Sequence, residues 1–481
     1  MFFSREDELA SLSLLWKKNV SSFVTCRGRR RIGKSSLIEE FARRSKCRFF
    51  ELVGAAPQPK MTNADQLTNF MQQLAIQSGL PLKTDVSNWI EVFSCLDSVL
   101  SPSEKTIVLL DEAYWMGRYD PNFAGCLKTV WDTKLKLHNR LILIVCGSVS
   151  TWIAENILEN SAFAGRLSLN LVVEELPLRD CVKFWGDKCK RLSVHDILDV
   201  LSVVGGVPKY LEEMDTSVSA DENIRRLCFL PNGPLVGEFD QIFSEVFSES
   251  APVKKDILRT LGNGPLTATQ IAERLGNERN GHLTRQLKEL ETAGFVAREG
   301  GLNPQTDAPL KIERYRIKDN YTRFYLHHME PRLAAIQAGS YTFKSLADLP
   351  EWQTLMGLQF ENLVVSHFRE LLPHLRIGPQ LILSAAPYAK KGKTPGEGLQ
   401  IDLLLQMRRA VYLIEVKRQD QITSDVEREM QEKVARLPVK GIKSRHTALV
   451  YAGRIDPQIA ENGYFDALIP IEELLEINPE R

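Results

Sequence analysis

The nine residues from Gly28 to Ser36 read GRRRIGKSS, a complete G-x-x-x-x-G-K-S phosphate-binding loop. A short apolar run at residues 23–26 favours a strand before the loop, and an amphipathic helical pattern follows it. The glycines allow the backbone to turn its N–H groups toward phosphate oxygens, and the N-terminus of the following helix adds partial positive charge. Because strand, loop and helix occur in the required order, the segment predicts a nucleotide-binding α/β domain rather than a chance match in a turn.

The side chains of this loop have distinct expected roles. Lys34 is expected to reach the β- and γ-phosphates of ATP, and the hydroxyl of Ser35 is expected to bind Mg²⁺. The arginine run at 29–31 leaves two interpretations open, contact with phosphates or acidic groups and simple solvation. The loop residues expected to contact ATP are Gly28, Arg31, Ile32, Gly33, Lys34, Ser35 and Ser36.

Apolar strands and helical patterns alternate through this first part of the chain. The predicted strands cover residues 48–53, 106–112 and 141–148, and the predicted helices cover 63–78, 86–100 and 122–136. Strands that are apolar along their whole length and alternate with helices indicate a parallel sheet covered on both faces.

Two carboxylates, Asp111 and Glu112, end the predicted strand 106–112. Open α/β sheets bind their ligands at the carboxyl ends of the strands. We therefore expect Asp111 to complete the Mg²⁺ shell and Glu112 to polarise the attacking water. An ordinary acidic turn is the plainer alternative.

Two more polar residues lie where they can assist hydrolysis. Ser148 ends the next strand, where its side chain can sense the γ-phosphate or the water, or cap a helix. Arg166 can supply positive charge to the γ-phosphate held by a neighbouring subunit, or form a structural salt bridge. For both residues the sequence leaves the two interpretations open.

Length, charge, cysteine spacing and apolar segments limit the classes of protein to which the chain can belong. A length of 481 residues predicts two to four domains, and 61 basic against 61 acidic side chains give no support for polyanion binding by the chain as a whole. The eight cysteines form no C-x-x-C pair, which argues against a disulfide framework or zinc site and favours thiols in a reducing cytoplasm. No signal-type apolar core begins the chain, and the apolar stretch 141–149 is too short to span a bilayer, so no membrane contact is expected.

The middle of the chain has the pattern of a winged helix-turn-helix. Three short helices are predicted at 253–263, 270–275 and 281–293, and two strands at 295–299 and 314–317 that pair as a wing. Residues 253–320 contain 12 basic and 9 acidic side chains, which is only mildly basic and leaves direct DNA binding open. The polar side chains of the third helix that can read bases or phosphates are His282, Thr284, Arg285, Gln286 and Lys288.

The last third of the chain indicates a separate α/β domain. A helix is predicted over 353–372, and Pro, Gly and Lys make 386–398 an expected exposed loop. Two apolar strands at 399–405 and 411–417 are expected to form a hairpin. A helix over 424–437, with Ser424 and Glu427 spaced as a capping box, and a strand at 446–451 follow.

This hairpin carries the pattern of PD-(D/E)xK phosphodiesterases: Asp402, then Glu415-Val416-Lys417. Residues 415 and 417 project to the same face of a strand, so Lys417 can orient or deprotonate a water on Mg²⁺ that Asp402 and Glu415 bind. Glu361, on the preceding helix, is expected to complete the metal site. Asp402 lacks the preceding proline of the pattern, and a surface salt-bridge cluster or an inactive nuclease-like site remains an alternative.

Several of these motifs together resemble the archaeal-type ATPases, from the signal-transduction branch of the AAA+-related P-loop ATPases. The resemblance lies in residues 3–9 (FSREDEL), 28–35 and 109–112, and in 205–211 (GGVPKYL), which is similar to the Gly-x-Pro motif of the helical lid in that family. It covers roughly residues 1–250, and ATPases of this kind often carry a C-terminal domain that resembles PD-(D/E)xK nucleases.

The resemblance implies properties that the residues alone do not. It implies an ATP-driven conformational switch and a homo-oligomer that depends on nucleotide. It also places Pro208 near the nucleotide, and Arg5 and Glu6 on the adenine side of the site, although a role in starting a helix explains the latter two equally.

We therefore expect an α/β protein with four parts. A P-loop ATPase core with a parallel sheet covers 1–172, a helical lid 173–250, a winged helix-turn-helix 251–335 and an α/β restriction-endonuclease-like domain 336–481. The expected function is an ATP switch regulating a Mg²⁺-dependent DNA nuclease, and defence against foreign DNA is an analogy from the architecture. The alternatives are a non-cleaving signalling or DNA-binding ATPase, and a transcription regulator that binds ATP without turnover.

Overall fold

A computed structural model describes residues 2–82, 85–247, 250–276, 278, 280–311, 313–390, 392 and 398–477. The chain divides into two compact units, Met1–Glu175 and Leu176–Arg481. None of the helices in these ranges combines the length and apolar character that crossing a bilayer requires.

The first unit contains the predicted parallel sheet. Its strands are β1 (Ser22–Arg27), β2 (Arg48–Val53), β3 (Thr106–Asp111), β4 (Leu141–Gly147) and β5 (Leu167–Val172). They lie in the order β2-β3-β4-β1-β5 and are all parallel to their neighbours. Strands β3 and β4 are buried along their whole length, as expected of a parallel sheet covered on both faces.

Helices cover this sheet. They are α1 (Glu6–Trp16), α2 (Lys34–Ser45), α3 (Asn63–Ser78), α4 (Trp89–Val99), α5 (Ala113–Gly117), α6 (Phe123–Thr133) and α7 (Ser150–Ile153). Aromatic rings from α3, α4 and α6 meet in the core, where Trp89 and Phe123 lie 4.7 Å apart in an edge-to-face arrangement. The apolar periodicity of these helices is therefore used to bury one face on the sheet.

The second unit begins with helices in the region 173–250, where a lid is expected; their role as a lid stays a prediction. They are α8 (Leu178–Phe184), α9 (Val194–Val204), α10 (Pro208–Glu212), α11 (Ala220–Cys228) and α12 (Glu238–Phe247). Helix α9 is buried over most of its length, and Ser193 caps its start by accepting from the backbone N–H of Asp196. Pro208 is the first residue of α10, a position that needs no backbone donor.

The winged helix-turn-helix follows directly. Its elements are α13 (Ala251–Leu261), β6 (Leu266–Thr267), α14 (Ala268–Arg274), α15 (Gly281–Thr292), β7 (Val296–Glu299) and β8 (Arg314–Ile317). The strands lie in the order β6-β8-β7, so β6 extends the expected two-stranded wing. Two short helices, α16 (Asn320–Phe324) and α17 (Leu333–Gln337), lead to the last domain.

That last domain is built on a mixed sheet. Its elements are α18 (Trp352–Ser366), β9 (Ile382–Lys390), β10 (Leu399–Met407), β11 (Ala410–Ile422), α19 (Asp425–Arg436), β12 (Ser444–Ile455), α20 (Pro457–Asn462), β13 (Ala467–Pro470) and α21 (Ile471–Leu474). The order is β13-β12-β11-β10-β9, with β9, β10 and β11 antiparallel and β11, β12 and β13 parallel. Helices α18 and α19 both contact β10 and β11.

Two local predictions in this domain are wrong. Residues 386–390 belong to strand β9 instead of the expected loop, and residues 391 and 393–397 lie outside the described part of the chain. The capping box at Ser424 does not form, because Ser424 has helical backbone angles and its side chain makes no cap hydrogen bond. The spacing of Ser424 and Glu427 in the sequence is therefore not enough to predict how this helix begins.

Candidate functional site

The phosphate loop has the backbone shape that its glycines predict. Gly28 and Gly33 have φ values of 154° and 85°. A Cβ on Gly28 would lie 2.3 Å from the carbonyl oxygen of Val173, so only glycine fits where the chain after β5 approaches the loop. The N–H of Gly28 donates to Ser150 Oγ at 3.2 Å, which ties the loop to α7.

Lys34 and Ser35 occupy the first turn of α2, below the loop. Lys34 is buried, and its Nζ donates to the carbonyl oxygens of Gly28 (3.2 Å) and Arg29 (3.1 Å). Ser35 Oγ donates to Asp111 Oδ2 at 2.5 Å, so the hydroxyl and the carboxylate expected on one Mg²⁺ lie in contact. A hydroxyl with a carboxylate, completed by phosphate oxygens and water, fits the hard oxygen ligands that Mg²⁺ requires.

Glu112 and Ser148 come together at the ends of neighbouring strands. Ser148 Oγ donates to Glu112 Oε2 at 2.9 Å, and its backbone N–H donates to the same oxygen at 3.2 Å. Ser148 does not cap α7, whose N-cap is Val149. Glu112 has a left-handed backbone (φ 48°), a conformation that costs a non-glycine residue energy and concentrates at functional sites. The carboxylate expected to polarise water is therefore held by the hydroxyl whose role the sequence left open.

Two arginines of the first unit have defined partners. Arg5, buried, donates from Nη2 to the carbonyl oxygen of Ile32 at 3.1 Å and pairs with Glu8. The sequence suggested a place beside adenine or at a helix start, and it did not reveal this hold on the phosphate loop. Arg166 forms two hydrogen bonds of 2.8 Å to Asp132, the salt-bridge interpretation left open above; its action on a neighbouring subunit stays a prediction.

The PD-(D/E)xK residues lie where β10 and β11 separate. The ladder between these strands ends at Leu403 and Ile414, one residue before Asp402 and Glu415. Asp402 Oδ2 accepts instead from the backbone N–H of Val416 at 2.9 Å. The pairing of β10 with β9 also shifts register at this point, an irregularity that aims a side chain out of the sheet.

Glu415 forms ion pairs with two lysines. Its side chain is 4% exposed; Oε1 lies 3.0 Å from Lys417 Nζ and Oε2 lies 2.5 Å from Lys433 Nζ. Lys417 also contacts Glu429 of α19 at 3.4 Å. The structure thus brings Asp402, Glu415 and Lys417 together and adds Lys433, which the sequence analysis missed. With Glu361, we call these residues the carboxylate cluster.

Burial governs the charges of this cluster. Desolvation, together with the nearby carboxylates of Glu415 and Glu361, raises the pKa of Asp402 to about 7. Desolvation also raises the pKa of Glu361, despite the nearby Arg316 and Arg323. Burial alone would lower the pKa of Lys417, but the carboxylate of Glu415 raises it.

The carboxylate cluster offers a metal few protein ligands. In the described ranges, no group of three His, Cys, Asp or Glu side chains is placed to hold a metal ion. Asp402 and Glu415 still fit Mg²⁺, which proteins commonly bind through one or two carboxylates with water and substrate phosphate. Glu361 as a third ligand stays a prediction.

One of the expected base-reading side chains is not accessible. Gln286 of α15 is buried, where its Oε1 accepts from Lys254 Nζ, and Lys254 also pairs with Glu289 at 2.6 Å. The expectation that Gln286 reads DNA is therefore wrong, because it joins α15 to α13. The residues that remain exposed on α15 are His282, Thr284, Arg285 and Lys288.

The segment between β7 and β8 is anchored on the last domain. The N–H of Leu302 donates to Ser384 Oγ at 3.2 Å, and Gln406 Nε2 donates to the carbonyl oxygen of Leu302 at 2.5 Å. Further along, Asp307 pairs with Lys443 at 2.7 Å. The segment between the two wing strands is thus hydrogen-bonded to β9 and β10 of the last domain.

Helix α9, in the region where the lid is expected, is also joined to the last domain. Asp199 of α9 forms an ion pair with Arg418 of β11, the residue after Lys417. Asn320 Nδ2 donates to the carbonyl oxygen of Ser202 at 3.0 Å, and Asn320 and Gln359 of α18 exchange side-chain to backbone hydrogen bonds. Helix α9 therefore contacts β11 and α18, two of the four elements that carry the cluster.

Comparison with known proteins agrees with this organisation. Residues 2–214 match the family model described as an ATPase domain predominantly from Archaea, and residues 250–299 match that of a helix-turn-helix domain. An uncharacterised protein of Methanocaldococcus jannaschii is 25% identical over 435 residues, which span 89% of this chain and 90% of that protein.

Structural comparison also finds partial matches among solved structures. The Walker-type ATPase of Pyrococcus abyssi matches with a TM-score of 0.49 and 18% identity, over 68% of this chain and 96% of that one. The ORC2 protein of Aeropyrum pernix, solved as ADPNP-ADP complexes, matches with a TM-score of 0.42 and 13% identity, over 69% and 94%. From its family matches and its phosphate loop, the chain carries an archaeal-type P-loop ATPase domain followed by a helix-turn-helix domain.

Proposed function

We propose that this protein is an ATP-hydrolysing switch that controls a Mg²⁺-dependent DNA nuclease site in its C-terminal domain. The archaeal-type ATPase domain supports the first half of this proposal. The convergence of Asp402, Glu415 and Lys417 supports the second half.

In the ATPase half, the chain supplies binding and orientation. Lys34 holds the β- and γ-phosphates, Ser35 and Asp111 bind Mg²⁺, and Ser148 orients Glu112 toward the attacking water. Bound Mg²⁺ would neutralise negative charge that develops on the phosphates. Arg166 of a neighbouring subunit in a homo-oligomer would add positive charge to the γ-phosphate, after leaving Asp132.

In the nuclease half, the two facing carboxylates would hold the metal. Asp402 is fixed by the N–H of Val416, and Glu415 lies beside it on β11. Bound Mg²⁺ would polarise the phosphodiester and acidify a water. Lys417, on the same face of β11 as Glu415, then orients that water, and Glu361 approaches from α18.

The observation that carries the coupling is the ion pair between Asp199 and Arg418. Arg418 follows Lys417 directly, so a displacement of α9 moves the backbone that holds Glu415 and Lys417. In the ATPases that this chain resembles, ATP drives a conformational switch, and Pro208 of the lid is expected near the nucleotide. ATP would thus assemble or expose the carboxylate cluster through the lid.

A cleavage assay with paired variants tests this proposal. Plasmid and linear DNA are incubated with Mg²⁺, with and without ATP, using wild type, Lys34→Ala and Lys417→Ala, with the exposed Lys440→Ala as control. We expect Lys417→Ala to lose cleavage, Lys34→Ala to lose its dependence on ATP, and Lys440→Ala to behave as wild type. Equal cutting by Lys417→Ala and wild type would show that the assignment of this site is wrong.

The pairing of Glu415 with two lysines favours a second candidate, a signalling or DNA-binding ATPase with an inactive nuclease-like domain. Under this candidate, Asp402→Ala leaves every activity intact while Lys34→Ala does not. A regulator that binds ATP without turnover would release no phosphate, so wild type and Glu112→Gln would be indistinguishable in a hydrolysis assay.

A further inference from the structure

Helix α19 presents a row of charged side chains to the carboxylate cluster. Glu429, Lys433 and Arg436 are spaced by four and three residues, which places them on one face of a helix. Glu429 contacts Lys417 and Lys433 contacts Glu415, both on β11, and Arg436 donates to the carbonyl oxygen of Gly398, the residue before β10, at 2.8 Å. The contact between Lys433 and Glu415 is therefore one of three contacts along this face of α19.

The position of Lys433 on Glu415 differs from that of Lys417. Lys417 projects from β11 itself and contacts Oε1, whereas Lys433 reaches across from α19 and contacts Oε2. Between them the two ammonium groups engage both oxygens of a carboxylate that is almost fully buried. A divalent cation on Glu415 would lie within a few ångströms of the Lys433 ammonium, where like charges repel strongly because water screens little.

We propose that Lys433 is a positioning residue that holds Glu415 in place and competes with the divalent metal for its carboxylate. Metal entry then requires the Lys433 ammonium to leave Oε2, and the charge of Lys433 sets how much metal the site needs. This inference rests on the proposed nuclease site, since it assigns Glu415 to the metal.

Direct metal binding tests the inference without relying on activity. Mn²⁺ is titrated calorimetrically into the full-length chain, in a Ser35→Ala background that removes the hydroxyl expected to bind metal at the phosphate loop. The variants are Lys433→Gln, Lys433→Met, Lys433→Arg and Glu415→Gln, and thermal unfolding confirms that each is folded. We expect Lys433→Gln and Lys433→Met to bind Mn²⁺ roughly three- to tenfold more tightly, because a nearby positive charge is removed. Lys433→Arg, which keeps the charge, should bind as the parent does.

Cleavage kinetics give the second measurement. For Lys433→Gln we expect the Mg²⁺ concentration at half-maximal rate to fall while the rate at saturating Mg²⁺ also falls, since Glu415 loses its support. A residue with only a structural role would not improve metal binding while it lowers the rate.

The outcomes separate the two proposals. If Mn²⁺ binding depends on Glu415 but is unchanged in Lys433→Gln and Lys433→Met, the role of Lys433 is overturned and the metal site stands. If Glu415→Gln binds Mn²⁺ as its parent does, or if the parent binds none, the proposed nuclease site fails, and the role of Lys433 fails with it.

Discussion

The ATP site and the carboxylate cluster differ in what holds their acidic side chains. In the first, hydroxyl groups hold them: Ser35 donates to Asp111 and Ser148 donates to Glu112. In the second, ammonium groups hold Glu415. A hydroxyl orients a carboxylate and leaves its charge, whereas lysines neutralise it. The ATP site is therefore preset for a cation, while the carboxylate cluster must exchange one cation for another before it can bind metal.

Replacing one lysine in each site by alanine should give the largest effect, a difference between the two variants in the rate of ATP hydrolysis. Lys34→Ala removes the ammonium that faces the phosphates and should lower ATP hydrolysis on the order of 10²–10³-fold, as loss of one transition-state electrostatic contact does. Lys417→Ala should leave hydrolysis within about twofold, because Lys417 contacts Glu415 and Glu429 and none of the ATP-site residues. Phosphate release measures both, with the exposed Lys134→Ala as control. An equal loss in Lys417→Ala would show that the carboxylate cluster is needed for ATP turnover.

Replacing one glycine near each site by alanine should destabilise only the unit that contains that glycine. A Cβ on Gly28 meets Val173 O at 2.3 Å, and one on Gly453 meets Gln419 O, beside the irregular stretch of β11 that follows Arg418. Each alanine should destabilise its own unit by about 3 kcal/mol or more, since these neighbours are backbone atoms and φ is positive.

Thermal unfolding and ATP binding together measure these effects. Gly28→Ala should abolish ATP binding and Gly453→Ala should preserve it. Gly125→Ala in α6, where a Cβ meets nothing within 4 Å, serves as control and should change stability by no more than about 1 kcal/mol. Loss of ATP binding in Gly453→Ala would contradict the separation.

Acid should weaken the second unit through His328, which is 2% exposed. Burial, with His327 and Arg332 nearby, lowers the pKa of His328 to about 4. The unfolded chain takes up the proton near its ordinary value of about 6.5, so this stability is present above that pH and is lost as pH falls toward 4. The loss should reach about 2 kcal/mol by pH 5.

The measurement is denaturant unfolding of the full chain between pH 7.5 and 4.5, followed by aromatic fluorescence. His328→Phe should flatten the acid limb for the second unit, since its ring keeps the contacts with Phe324 and Trp352 and takes up no proton. The exposed His195→Gln serves as the matched control. A pH profile of His328→Phe identical to wild type would show that other groups cause the acid sensitivity.

Ser148 tests how the ATP site holds its carboxylate. Ser148→Ala removes the hydroxyl but keeps the N–H that donates to Glu112. Hydrolysis should fall about tenfold, less than the roughly 10²–10⁴-fold that a general base contributes, because the N–H still holds Glu112, while ATP affinity stays unchanged. Phosphate release and equilibrium nucleotide binding measure the two effects, with Thr129→Ala on α6 as control. An unchanged rate would mean that the N–H alone orients Glu112.

What the sequence could predict follows from how far apart the interacting residues are. The contact between Ser35 and Asp111 was predictable because Gly28 to Ser35 are contiguous and Asp111 ends an apolar strand. The hairpin that joins Asp402 and Glu415 is also local. By contrast, Lys433 meets Glu415 from another element, and Asp199 meets Arg418 across 219 positions of sequence. No local pattern specifies such pairs.

Strand β9 shows a different limit. Pro387 made its neighbourhood appear to be a loop, because proline cannot donate in a ladder. Yet β9 is the edge strand of its sheet, and Pro387 falls where the pairing with β10 shifts between Tyr388 and Ala386. Proline is tolerated there, and only the strand order, which the sequence does not reveal, makes that clear.

The smallest expected effect tests whether the two sites communicate through the lid. Asp199 and Arg418 form their ion pair in a mostly buried setting, and burial raises the pKa of Asp199 despite the arginine. Removing one partner leaves the other without its countercharge, so single variants mix lost coupling with lost stability.

The double variant Asp199→Asn with Arg418→Gln removes both charges at once. We expect it to hydrolyse ATP at the wild-type rate and to cut DNA without ATP control, so that the ratio of cleavage with and without ATP falls from a few-fold to about one, as loss of about 1 kcal/mol of coupling implies.

A double-mutant cycle on that ratio isolates the pair from its surroundings. Arg428→Gln with Asp425→Asn, an exposed ion pair on α19, is the matched control and should preserve the ratio. A double variant that keeps full ATP control would show that the lid acts through Asn320, which donates to the carbonyl oxygens of Ser202 in α9 and Gln359 in α18. A variant that loses cleavage altogether, with ATP hydrolysis intact, would place Arg418 in support of Lys417 instead of in communication. Either result would change which element is assigned to connect the ATP site with the carboxylate cluster, whose Glu415 must first release a lysine.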